Sequence, residues 1–198
     1  MEMEKIEEEV KKRTVVELLT EMKNLAQLSV DLAYSVLLFG SPELAEEVRR
    51  IERRVDELSM VLKAKLALAI RDLEDVRHLL PIMELTQSME VITDAANDIA
   101  ETVAMGAEPH PIVQKAIAES EEKIRLVRVE EGSELDGKTL GELRLASETG
   151  MHVIAIRRGS TWIIGPDKDA KILGGDVLIV RGRDEGYRKL KKMASGRG

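Results

Sequence analysis

The sequence predicts a multi-domain protein: an all-α antiparallel three-helix bundle followed by a small α+β domain. Three observations carry this expectation. From about residue 4 to residue 105, apolar residues recur at helical spacing. A break containing glycine and two prolines, "GAEPHP" at 106–111, then interrupts the chain. Beyond it, the apolar runs become short and β-branched, bounded by glycine or charged turns.

The first helix carries a seam at Leu18, Met22, Leu25, Ser29, Leu32 and Val36, in steps of four and three. "GSPE" at 40–43 ends it: Gly40 stops the helix, Ser41 can cap the next, and Pro42 suits a first helical position. The second seam runs Leu44, Val48, Ile51, Val55, Leu58, Leu62, Leu66, Ala69 and Leu73. The third runs Ile82, Leu85, Met89, Ile92, Ala96, Ile99 and Val103. The turn between the last two is expected near 72–76, with Pro81 in the early turns of the third helix or kinking it. Ser29 and Thr86 break the apolar rule, but a helical hydroxyl can bond a carbonyl one turn back. Three sustained seams imply an antiparallel bundle.

After the break, "IVQKAIAESEEK" reads as a short helix. "IRLVRVEEG", "HVIAIRRG", "TWIIGP" and "DVLIVRG" read as strands, "TLGELRLASETG" as a short helix ended by Gly150, and "DEGYRKLKKMA" as a terminal helix. The expected division is a bundle over 1–108, a linker and short helix over 109–123, and the α+β domain over 124–198.

Composition narrows the classes of function. Aromatic residues make up 2% of the 198, so the core is aliphatic, which suits a bundle. The absence of cysteine excludes disulfides, thiolate metal sites and a thiol nucleophile. The charged start "MEMEKIEEEVKK" is no signal peptide, and no apolar run approaches the roughly 20 residues that span a bilayer, so a cytoplasmic protein without membrane insertion is expected. Residues 1–110 hold 13 basic and 23 acidic side chains, residues 111–198 hold 17 and 14. The acidic first part repels phosphate, and no nucleic-acid partner is expected.

"GSELDGKT" at 132–139 fits G-x-x-x-x-G-K-[ST], a phosphate-cradling loop that follows a strand. Its own Glu134 and Asp136 lie where a triphosphate would sit. The only candidate for a second, Mg-holding carboxylate, Asp176, opens its strand instead of ending it, and about seventy residues cannot hold the sheet that usually carries this motif. The stretch is therefore read as a turn shaped by Gly132 and Gly137. No ATP site is expected, and no nucleophile–base pair suggests an enzyme.

The sequence from 124 to 194 resembles the TrkA-C domain, also called the RCK C-terminal domain, of regulators of potassium and other cation transporters. The motif residues are Ser133, Leu135, Gly137, Lys138, Thr139, Leu140, Gly150, Ile156, Arg158, Gly159, Pro166, Leu173, Gly175, Asp176 and Gly182. The resemblance implies paired domains with a small-ligand pocket between them, and gives the opening turn the task of delivering Leu140 and Leu143 to the sheet. The Rossmann domain that usually accompanies it is missing, since no G-x-G-x-x-G follows a strand, and no NAD site is expected. The first half resembles a PhoU-type three-helix bundle through "IERRVDEL" and "DVRHLLPIMELTQSMEVITDAANDIAE". Asp75, Arg77, Glu90, Asp94, Ala96, Ile99 and Ala100 coincide with the PhoU pattern, while Val91, Ile92 and Thr93 replace its Arg-Ile-Gly. PhoU proper has two such bundles, and a homodimer could supply the second.

These resemblances imply two sites. PhoU-type E-x-x-x-D pairs can hold metal, and Glu52/Asp56 and Glu90/Asp94 are such pairs, each on one face of its helix. A divalent or transition metal ion is thus the candidate cofactor. The competing reading pairs these carboxylates with Arg49, Arg53 and Arg77 as surface ion pairs. His78, His110 and His152 are scattered and suggest no His-rich site. In the TrkA-C pocket, some members bind cyclic di-AMP through an Arg on the short helix and an Asn opening the next strand. Ala146 and His152 stand there here, which weakens that assignment, and Arg144, Arg157 and Arg158 remain to meet an anion over Ile154. The expected protein is a soluble regulator of cation transport, potassium above all. It would sense a small ligand such as a nucleotide as a homodimer or higher oligomer, and act on a membrane transporter or channel subunit. The other reading is a PhoU-type metal-binding or phosphate-signalling adaptor.

Overall fold

The computed structural model describes residues 2–104, 111–112, 115 and 123–196. Residues 106–110 of the break expected over 106–111, His110 among them, and most of the short helix read over 112–123 lie outside the described residues. The chain divides into two compact units, Met1–Pro109 and His110–Gly198.

The helical unit comprises α1 (Glu2–Lys12), α2 (Val15–Phe39), α3 (Pro42–Ala69) and α4 (Leu73–Ala104). Helices α2, α3 and α4 pack on one another as the three-helix bundle, and α1 lies against α3. The sequence reading missed the break that frees α1. Its signal is "TVVE": the Thr14 hydroxyl accepts from the Glu17 N–H at 3.2 Å while Glu17 accepts from the Thr14 N–H at 2.7 Å, a reciprocal capping box. All six expected seam residues of α2 are buried, and so is the α3 seam from Leu44 to Leu66. Gly40 closes α2 in the left-handed conformation (φ 58°), and Ser41 caps α3 ahead of Pro42.

Two expectations fail at the far end of the bundle. Helix α3 stops at Ala69, and the Asp72 carboxylate accepts from the Glu74 and Asp75 N–H groups to start α4. The turn thus precedes the expected 72–76, and Ala69 and Leu73 are exposed instead of closing the seam. On α4 the buried line is Thr86, Met89, Thr93, Ala96 and Ala100, while Leu85 and Ile92 are 47% and 44% exposed. Polarity alone hid this line: Thr86 donates to Ile82 O at 2.7 Å and Thr93 to Glu90 O at 2.9 Å, so both hydroxyls are satisfied inside their own helix. Pro81 lies within α4.

The second unit is a four-stranded antiparallel sheet in the order β1-β4-β2-β3, with β1 Lys123–Arg128, β2 His152–Arg158, β3 Thr161–Ile164 and β4 Val177–Gly182. Helix α5 (Leu145–Thr149) precedes β2 and α6 (Asp184–Ala194) ends the unit. The helix expected across "TLGELRLASETG" is a run of turns that becomes helical only at α5, and Gly150 ends it at φ 70°. Val127, Leu135, Leu143, Met151, Ile156, Ile172, Leu178, Val180 and Leu190 form the core. Close contacts fix α6: a side chain at Gly186 would collide with Thr149 O.

Candidate functional site

The turn at 132–139 is stitched to the segment leading into β4. Gly137 N donates to Ile172 O at 2.9 Å, Ile172 N to Lys138 O at 2.9 Å, Leu140 N to Ala170 O at 3.0 Å and Gly141 N to Lys168 O at 2.7 Å. Inside the turn, Asp136 accepts from Gly132 N and from Gly174 N, both at 2.8 Å. These backbone donors hold the Asp136 carboxyl below the usual aspartate range. Six of the eight backbone N–H groups from 132 to 139 donate within the protein, so they do not converge on a phosphate. Leu143, delivered by the turn, is buried, and Leu140 packs against the same core.

Beyond this turn lies an open cleft of about 260 Å³ bounded by α5, the start of β2 and the 166–168 loop. Arg144, Ala146, Ser147, His152, Asp167 and Lys168 line it over Leu140 and Val153. Arg144 is the only residue other than glycine at positive φ among the described residues (φ 46°, ψ 39°). That conformation costs about 1–2 kcal/mol for an L-residue. It is held because Arg144 N donates to Gly141 O at 3.0 Å while Arg144 O accepts from Glu148 N at 2.9 Å. Arg144 and Lys168 give the cleft a cationic character against Asp167, with the His152 ring beside them.

Of the five expected ligand contacts, the cleft brings together Arg144 and His152. Ile154, Arg157 and Arg158 lie elsewhere. A bulge between Val153 and Ala155 breaks the alternation, so Val153 rather than Ile154 faces the cleft. Arg157 is buried opposite Trp162 and donates to Gly159 O at 3.0 Å. Arg158 is committed to Asp176, donating to its two carboxylate oxygens at 2.9 and 2.8 Å and to Lys171 O at 2.7 Å. Asp176 also accepts from Leu173 N at 2.8 Å, so this pair clamps the loop before β4. The sequence reading missed Ser147 and Lys168; the polar run "GPDKD" is the signal that marks the latter's loop.

In the helical unit, Glu52 and Asp56 of α3 and Asp94 of α4 bring one carboxylate oxygen each within 4.8 Å of one another. Glu90 does not join them, because Lys63 Nζ holds it at 2.7 Å. Arg49 and Arg53, the sequence's alternative partners, bond Glu46 instead, and Arg49 also reaches Glu101 at 3.6 Å. Burial, then the Asp56 and Asp94 charges, push the Glu52 carboxyl up; burial, then Asp94 and Glu90, push Asp56 up. One turn along α4, the Asn97 Oδ1 atom is buried with no hydrogen-bond partner among the described residues. An all-oxygen set whose negative charge Arg53 and Lys63 offset only in part fits a hard divalent cation. Among the described residues, no helix is long and apolar enough to cross a membrane.

Comparison with known proteins assigns both units. Residues 124–195 match the TrkA-C domain and residues 19–103 the PhoU domain. Among solved structures, the RCK_C domain dimer of S. agalactiae BusR in complex with c-di-AMP is 28% identical, covering 39% of this chain and 96% of that one, with a TM-score of 0.37. The RCK C domain of the potassium transport protein KtrA, in complex with cyclic diadenosine monophosphate, is 26% identical over 41% of this chain and 93% of that one, with a TM-score of 0.35. S. agalactiae BusR in complex with its busAB-promotor DNA is 18% identical over 89% and 97% of the two chains, with a TM-score of 0.36.

Proposed function

Because the chain joins a PhoU domain to a TrkA-C domain, we propose that it is a ligand-sensing regulator of cation transport, potassium above all, and not an enzyme. The observation that carries the reading is the cationic cleft beside α5. Its volume of about 260 Å³ falls below the 300–1,000 Å³ usual for a complete small-molecule site. An open cleft of this size suits half of a site, which the same cleft of a second copy would complete. Arg144, Lys168 and His152 suit the phosphate of a small nucleotide, and Leu140 and Val153 offer an apolar floor. Ala146 stands where an arginine contact is expected for cyclic di-AMP, so recognition of that ligand would differ in detail. Ligand binding favours one of two arrangements of the pair, and the change reaches a membrane transporter or channel subunit from the cytoplasmic side. DNA is left out of this reading, since the helical half is strongly acidic. Calorimetric titration of the full chain with cyclic di-AMP, ATP, ADP, AMP and NAD tests it. Binding of one of these, weakened at least about tenfold by Lys168→Ala through loss of a charged phosphate contact, is expected. Absence of binding throughout would remove the reading.

A specific observation favours a second role. The Glu52, Asp56 and Asp94 oxygens are gathered as a divalent cation would require. On this reading the chain is a metal-binding adaptor of PhoU type, with the TrkA-C domain as its accessory.

A further inference from the structure

Helix α4 has two faces with the same three-and-four spacing. Its inner line, Thr86, Met89, Thr93, Ala96 and Ala100, is buried in the bundle. Its outer line, Pro81, Leu85, Ser88, Ile92 and Ala95, is exposed and apolar but for Ser88, with the exposed Glu84 at its edge. Val91, at 57% exposure, lies beside it. Sustained apolar spacing on an exposed face is the mark of a helix with a second helix to meet.

We propose that this outer face of α4 packs antiparallel against the same face of a second copy of this chain, about a two-fold axis beside Ser88. The opposite charges at the two ends of this face make it self-complementary and set the direction. Residues 1–110 carry a net excess of ten acidic groups, whereas the outer face ends in the exposed Arg77 at one side and the exposed Asp98 at the other. An antiparallel crossing beside Ser88 sets Arg77, eleven residues before it, over the stretch that holds Asp98, ten residues after it. A parallel crossing would place like charges together. The antiparallel order also opposes the helix dipoles. Ser88 and Ala95 are small and allow close approach, and the Leu85–Ile92 stretch then meets itself. One helix face is narrower than the roughly 800 Å² per partner of a standard stable interface. The contact therefore forms between chains already tied through their TrkA-C domains, which raises its effective concentration. In that respect it rests on the dimeric reading of the ligand cleft.

The full chain, which has no native cysteine, gives a direct test with a short bis-maleimide linker and single substitutions. Ser88→Cys is expected to yield covalent dimer. Gln87→Cys, pointing off the face, and Arg77→Cys, roughly 33 Å from its symmetry mate at 1.5 Å per residue, are expected to yield none. Adding Ile92→Asp to Ser88→Cys is expected to abolish the dimer, and because Ile92 is exposed the variant keeps its fold. The molar mass of the unmodified chain by light scattering reports separately on the dimeric reading. A dimeric mass with no Ser88→Cys linkage overturns the α4 interface and leaves that reading standing; a monomeric mass with no linkage overturns both. Linkage at Arg77→Cys overturns the antiparallel arrangement, and equal linkage at Gln87→Cys overturns the face. If another protein or the chain's own second unit covers this face, Ser88→Cys stays monomeric, which likewise overturns the proposal.

Discussion

Single side chains decide whether a residue is free to meet a ligand. Arg158 belongs to a motif and carries a charge, so the sequence offered it as an anion contact. Asp176, 1% exposed, shows what the motif is for. The carboxylate is buried against three donors from Arg158 and Leu173, and the arginine is its counter-charge. Arg158→Ala leaves that carboxylate with the Leu173 N–H as its donor, and thermal or urea unfolding should show a loss of about 2–3 kcal/mol, the arginine being partly solvated. Ile154 lies off the cleft for a different reason. A bulge is a one-residue choice that periodicity does not reveal, and it reverses which side chains share a face. Arg144 was legible as a cation but its left-handed backbone was not, since nothing in "ELRLA" demands it. Asp136 lends itself to a test by pH. Its folded carboxyl is depressed by backbone donors, so its contribution is present above the ordinary aspartate value and is lost as pH falls through the lower folded value. Asp136→Asn should therefore flatten the fall in melting temperature across that acid window, and an unchanged profile would separate Asp136 from acid stability.

At the level of helices and strands, spacing was a better guide than residue type. The α2 and α3 seams were readable because every position in them is apolar or a small hydroxyl. On α4 the same rule chose Leu85 and Ile92 over Thr86 and Thr93, and the bundle buries the threonines. Apolar content on both faces of α4 made the choice ambiguous, and only packing resolves it. The division between α1 and α2 was legible in principle, through Thr14 and Glu17. The carboxylate site depends on two helices at once: α3 supplies Glu52 and Asp56, and α4 adds Asp94. Without a cation, burial and mutual repulsion raise the Glu52 and Asp56 carboxyls. Such groups are better tolerated protonated, so the fold loses stability as pH rises through the unfolded carboxylate value toward the raised one. Asp94→Asn should accordingly raise the melting temperature in chelator at neutral pH. It should also reduce the rise produced by millimolar Mg²⁺ or Mn²⁺ in the native chain. A metal-induced rise that survives intact in this variant would separate the cluster from metal binding.

The whole chain divides its chemistry between its two units. The PhoU unit is acidic and suits a cation; the TrkA-C unit carries the basic excess and the cationic cleft. Most of this was legible early, because the TrkA-C motif fixes turns, strand ends and a clamp at many positions, each with a structural task now visible. The cleft itself was less legible. Its wall is assembled from the 144–153 and 166–168 stretches, which meet through the β2–β3 pairing and through the pairing of the turn at 137–141 with 168–172. The cleft is proposed to sense a small nucleotide. Thermal unfolding of the full chain, with and without each nucleotide and each divalent cation, tests it most directly. A ligand held at a hundred times its dissociation constant stabilises the native state by about 2.7 kcal/mol, roughly 5–10 °C for a chain of this size. Such a rise is expected with a nucleotide, and its loss in Lys168→Ala. A chain stabilised by divalent cations alone, and by none of the nucleotides, would contradict it.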